Sequence, residues 1–345
     1  MLDNLLSEVD VQHLCTLLDK AHNIIVTCHV SPDGDAMGAV LAFSHFLWRK
    51  GKNAQPVVPN IFPDFLKWMP GVERVRIYEK HENEVAPLVA AADLIICLDF
   101  NAPDRLQGLQ KPVTDSQSPK IMIDHHLDPV DFCDWVVSRQ EMSSTCELLY
   151  RILVQLEGLD PMTYEEAVCL YTGMMTDTGC FSYNSNRSDI YYIIGRLLTK
   201  GIDKDKIYRN VFFNYSAERF RLMGYMLYVK LEYFPEYHAS LMTLTREEQK
   251  RFSHKKGDTE GFVNIPLQIG KSRLSVFLRE DTERHNIRVS LRSVDDFPCN
   301  RMAAEFFNGG GHFNASGGGL SCTMDEAVQI VRKALKKYAS LLTDR

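Results

Sequence analysis

The sequence predicts an α/β protein in two parts: an N-terminal domain with a mainly parallel sheet flanked by helices, and a smaller C-terminal α/β domain with a mixed sheet. Three observations carry this. Up to about residue 200, short and almost wholly apolar runs alternate with segments of helical period, as expected for parallel strands buried on both faces. From about residue 232 the strand-like runs alternate apolar and polar residues, the half-buried pattern of antiparallel or mixed sheets. Between them, residues 202–231 are helical in period, charged and aromatic, with no strand signal. The expected boundaries are 1–201 for the first domain, 202–231 for a helical connector and 232–345 for the second domain.

In order along the chain, residues 1–21 place Leu5, Leu6, Val9, Leu14, Leu17 and Leu18 at helical spacing. Residues 23–28 form a buried strand on Ile24-Ile25-Val26. Pro32-Asp33-Gly34 is turn chemistry, and a helix is predicted from about Asp35 to Lys50, stopped by Gly51. Residues 54–58, 92–98 and 120–123 are further strands, the last two running into Asp99 and into Asp124-His125-His126. Ser144-Thr145-Cys146-Glu147 and Thr163-Tyr164-Glu165-Glu166 read as capping boxes. The first opens a helix to about Leu156, the second a helix running into Thr176-Asp177-Thr178-Gly179. A third helix covers 188–200. In the second domain, 237–245, 273–279 and 286–293 read as strands, 309–319 as a glycine-rich segment, and 324–342 as a closing helix.

The chain of 345 residues is long enough for two domains with ample core. A net charge of -6 excludes a globally basic nucleic-acid binder, so any polyanion must be held by a local patch or by metal ions. The N-terminus lacks a basic leader, an uninterrupted apolar core and a cleavage signal, and no apolar run reaches membrane-spanning length. The nine cysteines are odd in number and scattered, without a CxxC. They read as reduced thiols of a cytoplasmic protein rather than a disulfide framework or zinc site.

Ionisable residues recur at one end of successive strands: His29, Asp33 and Asp35, then Asp99, then Asp124, His125 and His126, with Asp177 where a helix gives way to a loop. In open α/β sheets that rim is where ligands bind. Carboxylates buried together there would repel one another unless cations neutralised them. Carboxylate and imidazole donors without thiolate favour Mn²⁺, with Mg²⁺, Co²⁺ or Fe²⁺ as alternatives. Six ligands are too many for one ion that keeps an open position. Two divalent ions sharing a carboxylate, roughly 3.5–4 Å apart, fit better.

His29-x-x-x-Asp33-x-Asp35, Asp99, Asp124-His125-His126 and Thr176-Asp177-Thr178-Gly179 resemble the four motifs of the DHH phosphoesterase superfamily. Gly309-Gly310-Gly311-His312 resembles the signature of the DHHA1 domain that often follows. The two-part layout is most similar to the NrnA-type oligoribonuclease and pAp phosphatase group. The resemblance implies that His29 and Asp33 bind one ion, that Asp35, His125 and Asp177 bind the other, and that Asp99 bridges. It further implies that His126 faces the phosphate, and that Asp124 orients the histidines from behind.

In the second domain, strand alternation puts Arg288, Ser290 and Arg292 on one face, and Arg273, Ser275 and Arg279 on one face of a neighbouring run. Arg273, Arg288 and Arg292 are candidate phosphate contacts, although Glu280, Asp281 and Glu283 are also placed to engage them. Gly309, Gly310, Gly311 and His312 allow close approach of a terminal phosphate or sugar. Phe306, Phe307 and Phe313 could stack a base, with core packing the commoner fate. Asn314-Ala315-Ser316-Gly317 departs slightly from the two alanines usual in that group.

The expected activity is metal-dependent hydrolysis of short single-stranded oligoribonucleotides to mononucleotides, of 3′-phosphoadenosine 5′-phosphate (pAp) to AMP, or of both, by attack of an activated water on phosphorus. The alternatives are a soluble cyclic- or linear-dinucleotide phosphodiesterase and a non-catalytic nucleotide-binding module. No membrane partner is expected, and a homodimer is left open.

Overall fold

The apolar runs of the first half become the strands of a single sheet. In the computed structural model, which describes residues 4–213, 215–255, 257–281 and 286–343, the chain divides into two units, Met1–Asn214 and Tyr215–Arg345. The division falls inside the stretch expected as connector.

In the first unit, β1 (Asn23–Cys28), β2 (Asn53–Val58), β3 (Arg76–Ile77), β4 (Leu94–Leu98), β5 (Lys120–Asp124) and β6 (Trp135–Ser138) pair in the order β3-β2-β1-β4-β5-β6. Every pairing is parallel. Alternate residues feed two cores. Ile24, Val26, Leu94, Ile96, Ile121 and Ile123 pack on one side; Ile25, Val57, Ile95, Cys97 and Met122 pack on the other. The helices are α1 (Glu8–Lys20), α2 (Gly34–Arg49), α3 (Glu82–Ala90), α4 (Gln110–Asp115), α5 (Thr145–Glu157), α6 (Tyr164–Asp177), α7 (Ser188–Leu198) and α8 (Lys204–Phe212). Residues 34–44 of α2 are all buried, so this helix is apolar nearly all round, as a central helix must be. Strand order reverses between β1 and β4, which makes their carboxyl ends the topological switch point of the sheet.

The two expected capping boxes form by half. Ser144 accepts from Glu147 N and Thr163 from Glu166 N. The reciprocal arms are diverted, because both glutamates are buried and arginines claim them. Glu147 takes Ser143 N and Oγ together with Arg151 and Arg187, and Glu166 takes Arg49. Complete reciprocal boxes stand instead at Thr245/Glu248 and Thr323/Glu326.

The second unit contains α9 (Ala217–Tyr225) with a π-helical turn after it, β7 (Glu232–Phe234), β8 (Ala239–Leu244), α10 (Arg246–Arg251), β9 (Leu274–Glu280), β10 (Ile287–Ser293), α11 (Cys299–Phe306), β11 (Gly310–His312), β12 (Ala315–Leu320), α12 (Met324–Lys337) and α13 (Ala339–Thr343). The sheet order is β11-β12-β10-β9-β8-β7. Only β8 and β9 run parallel, so the sheet is mixed. The glycine-rich segment forms a β-hairpin, β11–β12, within this sheet. Among the described residues no helix is long and apolar enough to cross a membrane. All nine cysteines are free thiols.

Candidate metal centre

The predicted ligands meet at the carboxyl ends of β1, β4 and β5, around the switch point. His29 follows the last residue of β1, Asp99 follows β4, and Asp124 closes β5. Asp33 is the N-cap of α2: its Oδ1 accepts from Asp35 N and Ala36 N at 3.0 and 3.1 Å. That leaves Oδ2 toward His29 Nε2, 3.8 Å away. Asp35 lies in the first turn of α2, and Asp177 is the last residue of α6.

One donor atom from each of His29, Asp33 and Asp99 lies within 4.8 Å of the other two, and the same holds for Asp35, His125 and Asp177. Asp99 faces both groups. Its Oδ2 is 3.4 Å from His29 Nε2, and its Oδ1 is 3.6 Å from His125 Nε2. His125 Nε2 also lies 3.5 Å from Asp177 and 3.9 Å from Asp35. These separations are too long for good hydrogen bonds and suit donors arranged around a shared cation. His29 Nδ1 meets the Val30 carbonyl at 2.8 Å and His125 Nδ1 the Met142 carbonyl at 3.3 Å. Each bond places the ring proton on Nδ1 and leaves Nε2 as a lone-pair donor to the cluster, the usual support for a metal-binding histidine.

The electrostatics call for positive charge. Burial first, then repulsion from Asp99 and Asp177, pushes the Asp35 carboxyl well above the ordinary range. Burial, with Asp33 and Asp99 adding to it, pushes Asp177 up to about 7. Burial alone would lower His125, yet Asp177, Asp99 and Asp35 raise it to about 9. Asp99 is held below the carboxylate range despite its burial, because His29, His126 and His125 surround it. A cluster that draws protons onto histidine is one in which divalent cations fit. The neighbouring thiol of Cys146 is pushed up by burial and by Asp35, so it stays protonated and the donors are oxygen and nitrogen alone.

His126 stands apart from the two groups. Its Nδ1 bonds Asp124 Oδ1 at 2.7 Å, and one donor each from Asp99, Asp124 and His126 also cluster within 4.8 Å. Asp124 is fully buried, and its Oδ2 has no hydrogen-bond partner among the described residues. Asp124 thus meets His126, whereas His125 Nδ1 meets the Met142 carbonyl.

The candidate substrate residues belong to the second unit. His312 pairs with Ala315, Ala315 with Arg292, and Arg292 with Ser275. These residues form one row across four strands and share a face. Ser290 and Arg288 lie two and four residues along β10 on that face, opposite Gly317 and Gly319. A Cβ on Gly309 would overlap the Gly317 carbonyl, and one on Gly318 the Phe307 carbonyl, so the glycines let β12 lie against its neighbours. Gly311 takes a φ of +135°. Arg288 is ion-paired with the buried Asp281 at 2.6 Å, while Glu280 accepts from Arg246 N; Glu283 lies outside the described residues. Arg273 is a correction to the sequence reading. It is buried, with its guanidinium on the Leu341 carbonyl and on Asp296, where it ties α13 to the domain. Phe307 is core, Phe306 packs against Phe307 and Tyr338, and Phe313 is exposed.

Sequence reasoning missed the first turn of α5. Thr145 N and Cys146 N donate to the two oxygens of Asp35 at 2.6 and 2.9 Å, and Thr145 Oγ1 donates to Asp99 Oδ1 at 2.8 Å. The Ser144 cap announces a helix start, but nothing local says that it points at acids more than forty residues away.

Comparison with known proteins finds family models for both units. A family model for the DHH family, N-terminal domain, matches residues 23–174, and one for the DHHA1 domain matches residues 243–340. The crystal structure of an exopolyphosphatase-related protein from Bacteroides fragilis is 50% identical, with a TM-score of 0.96, over 99% of this chain and 100% of that one. The bifunctional oligoribonuclease and PAP phosphatase NrnA of Thermus thermophilus is 29% identical over 91% of this chain and 89% of its own length. RecJ of Thermus thermophilus in complex with Mn²⁺ shares the fold at a TM-score of 0.56 and 14% identity, over 99% of this chain and 56% of that one.

Proposed function

Because this chain belongs to the DHH family of phosphoesterases and carries a DHHA1 domain behind the DHH domain, we propose that it hydrolyses short oligoribonucleotides to mononucleotides and releases phosphate from pAp. The observation that carries the reading is the position of Asp99, with one carboxylate oxygen toward His29 and the other toward His125. Two donor groups sharing one carboxylate are what a pair of divalent ions requires. In this reading His29, Asp33 and Asp99 would hold one ion, and Asp35, His125, Asp177 and Asp99 the other, with Mn²⁺ favoured by the donor set. When bound, such ions lower the pKa of a coordinated water and polarise the phosphoryl oxygens.

The chain's own residues supply the rest. Asp124 accepts from Nδ1 of His126; when the ring also carries its second proton, Nε2 on the opposite edge donates a hydrogen bond to a phosphoryl oxygen or that proton to the departing alkoxide. Asp33 and Asp35 sit at the N-terminus of α2, whose unpaired peptide N–H groups favour negative charge. Arg292 and His312 take the phosphate or sugar of the substrate, beside the β11–β12 glycines. Arg273 is left out of this set because its guanidinium is engaged inside the domain.

Short substrates suit the charge. A long polyanion is held by many cationic contacts, and the net charge here is -6. The similarity to a bifunctional oligoribonuclease and PAP phosphatase over most of both chains supports the same choice. The test is turnover with Mn²⁺ on pAp, a diribonucleotide, a long RNA, a cyclic dinucleotide, pyrophosphate and polyphosphate side by side. The reading expects pAp and the diribonucleotide to lead. A lead for the cyclic dinucleotide, pyrophosphate or polyphosphate, or binding without turnover, overturns it.

A further inference from the structure

Asp99 has a demanding task under the reading above: its two oxygens must face different ions at once. The torsion that sets the plane of an aspartate carboxylate is broad and intrinsically soft, so a bridging orientation has to be imposed from outside. The imidazole nitrogens around Asp99 stand at 3.4, 3.6 and 3.7 Å. Thr145 Oγ1 is much closer, at 2.8 Å from Asp99 Oδ1. A hydroxyl has a single proton to give, and here it is directed at the oxygen on the His125 side. Thr145 is fully buried, and as a β-branched residue it has restricted χ1 freedom, so its hydroxyl is aimed rather than roaming.

The same residue reaches a second carboxylate on the His125 side. Thr145 N and Cys146 N hold the two oxygens of Asp35. One helical turn therefore indexes Asp35 and Asp99 to each other. That turn is itself fixed. Ser144 Oγ accepts from Glu147 N at 3.0 Å. The buried Glu147 carboxylate returns to Ser143 N and Oγ at 2.8 and 2.7 Å, and is gripped by Arg151 at 2.7 Å and Arg187 at 2.5 Å.

We propose that Thr145 is a positioning residue for the shared carboxylate: its hydroxyl sets the rotation of Asp99 so that one oxygen serves each ion. The inference rests on the two-ion reading and adds a residue that reading does not contain. Groups that orient metal ligands typically cost 10–100-fold in affinity or activity when removed.

Thr145→Val keeps the shape and removes the hydroxyl, and Thr145→Ala removes it with less bulk. Calorimetric titration of the full chain with Mn²⁺ should show two ions bound by wild type. The variants should bind the first normally and the second roughly 10–100-fold more weakly. The electron paramagnetic resonance signature of a coupled Mn²⁺ pair should fade with the second ion. At saturating Mn²⁺, kcat should fall about tenfold or more while KM stays within about twofold, and Thr145→Ser should restore all three measures. Two ions bound at wild-type affinity, with the coupled signal intact, in whichever of the Val and Ala variants folds would overturn this inference alone. Wild-type protein taking up one ion would overturn the two-ion reading and this inference together.

Discussion

Asp99 is held with a φ of +63°. A non-glycine residue in the left-handed region persists only where its surroundings over-determine it, and such residues gather at functional sites. The strain falls on the one side chain that both donor groups share. Asp99→Asn retains the shape and removes the charge. Hydrolysis should fall roughly 10³-fold or more, equivalent to about 4 kcal/mol of barrier, while circular dichroism shows a folded protein with cooperative melting. Unchanged turnover would remove the two-ion mechanism. The candidate ligands were legible because each stands at or just beyond an end of a regular element, a position that composition and periodicity reveal. Arg273 was misjudged because alternation assigns a face but not the depth of burial, and its partners, Leu341 and Asp296, are remote in sequence. Thr145 left no trace for the same reason: its acceptor lies forty-six residues earlier.

The elements meet through glycines. A Cβ on Gly38 would come within 2.7 Å of the Cys169 carbonyl, and one on Gly34 would overlap the Thr176 side chain, so α2 and α6 are packed nearly backbone to backbone. A Cβ on Gly173 would overlap Cys146 Sγ and stand 2.8 Å from Asp35 Oδ1. Gly173→Ala should therefore act on two properties at once. Overpacking should cost about 1–3 kcal/mol, read as a lower Tm. Displacement of Asp35 should weaken Mn²⁺ binding in the same calorimetric titration. A lower Tm with unaltered Mn²⁺ affinity would show that the contact only packs helices. Strands such as β4 and β5 were legible from unbroken apolar runs, and the helices from their period and caps. The β11–β12 hairpin was not, because glycine is depleted in strands; here close approach of the Phe307 and Gly317 carbonyls selects it. Strand β6 was missed because Trp135-Val136-Val137-Ser138 is short and only its third residue is buried.

Among the described residues, the candidate ligands of the proposed ion pair belong to the first unit and the candidate arginine, histidine and glycine row to the second. That segregation predicts that substitutions in the two units fail differently. Asp99→Asn acts on chemistry and on the ions. Under the proposed function, Arg292→Ala or His312→Ala would remove a group that binds the substrate equally before and during reaction, so KM should rise and kcat should barely move. A hydrogen bond to a charged group is worth about 1.5–3 kcal/mol, so the expected rise in KM for pAp is roughly ten- to a hundredfold. The Mn²⁺ isotherm should remain that of wild type. Equal losses in kcat and kcat/KM would mean that Arg292 or His312 touches the transition state. A changed Mn²⁺ isotherm would mean that recognition and metal binding are not separable in this molecule.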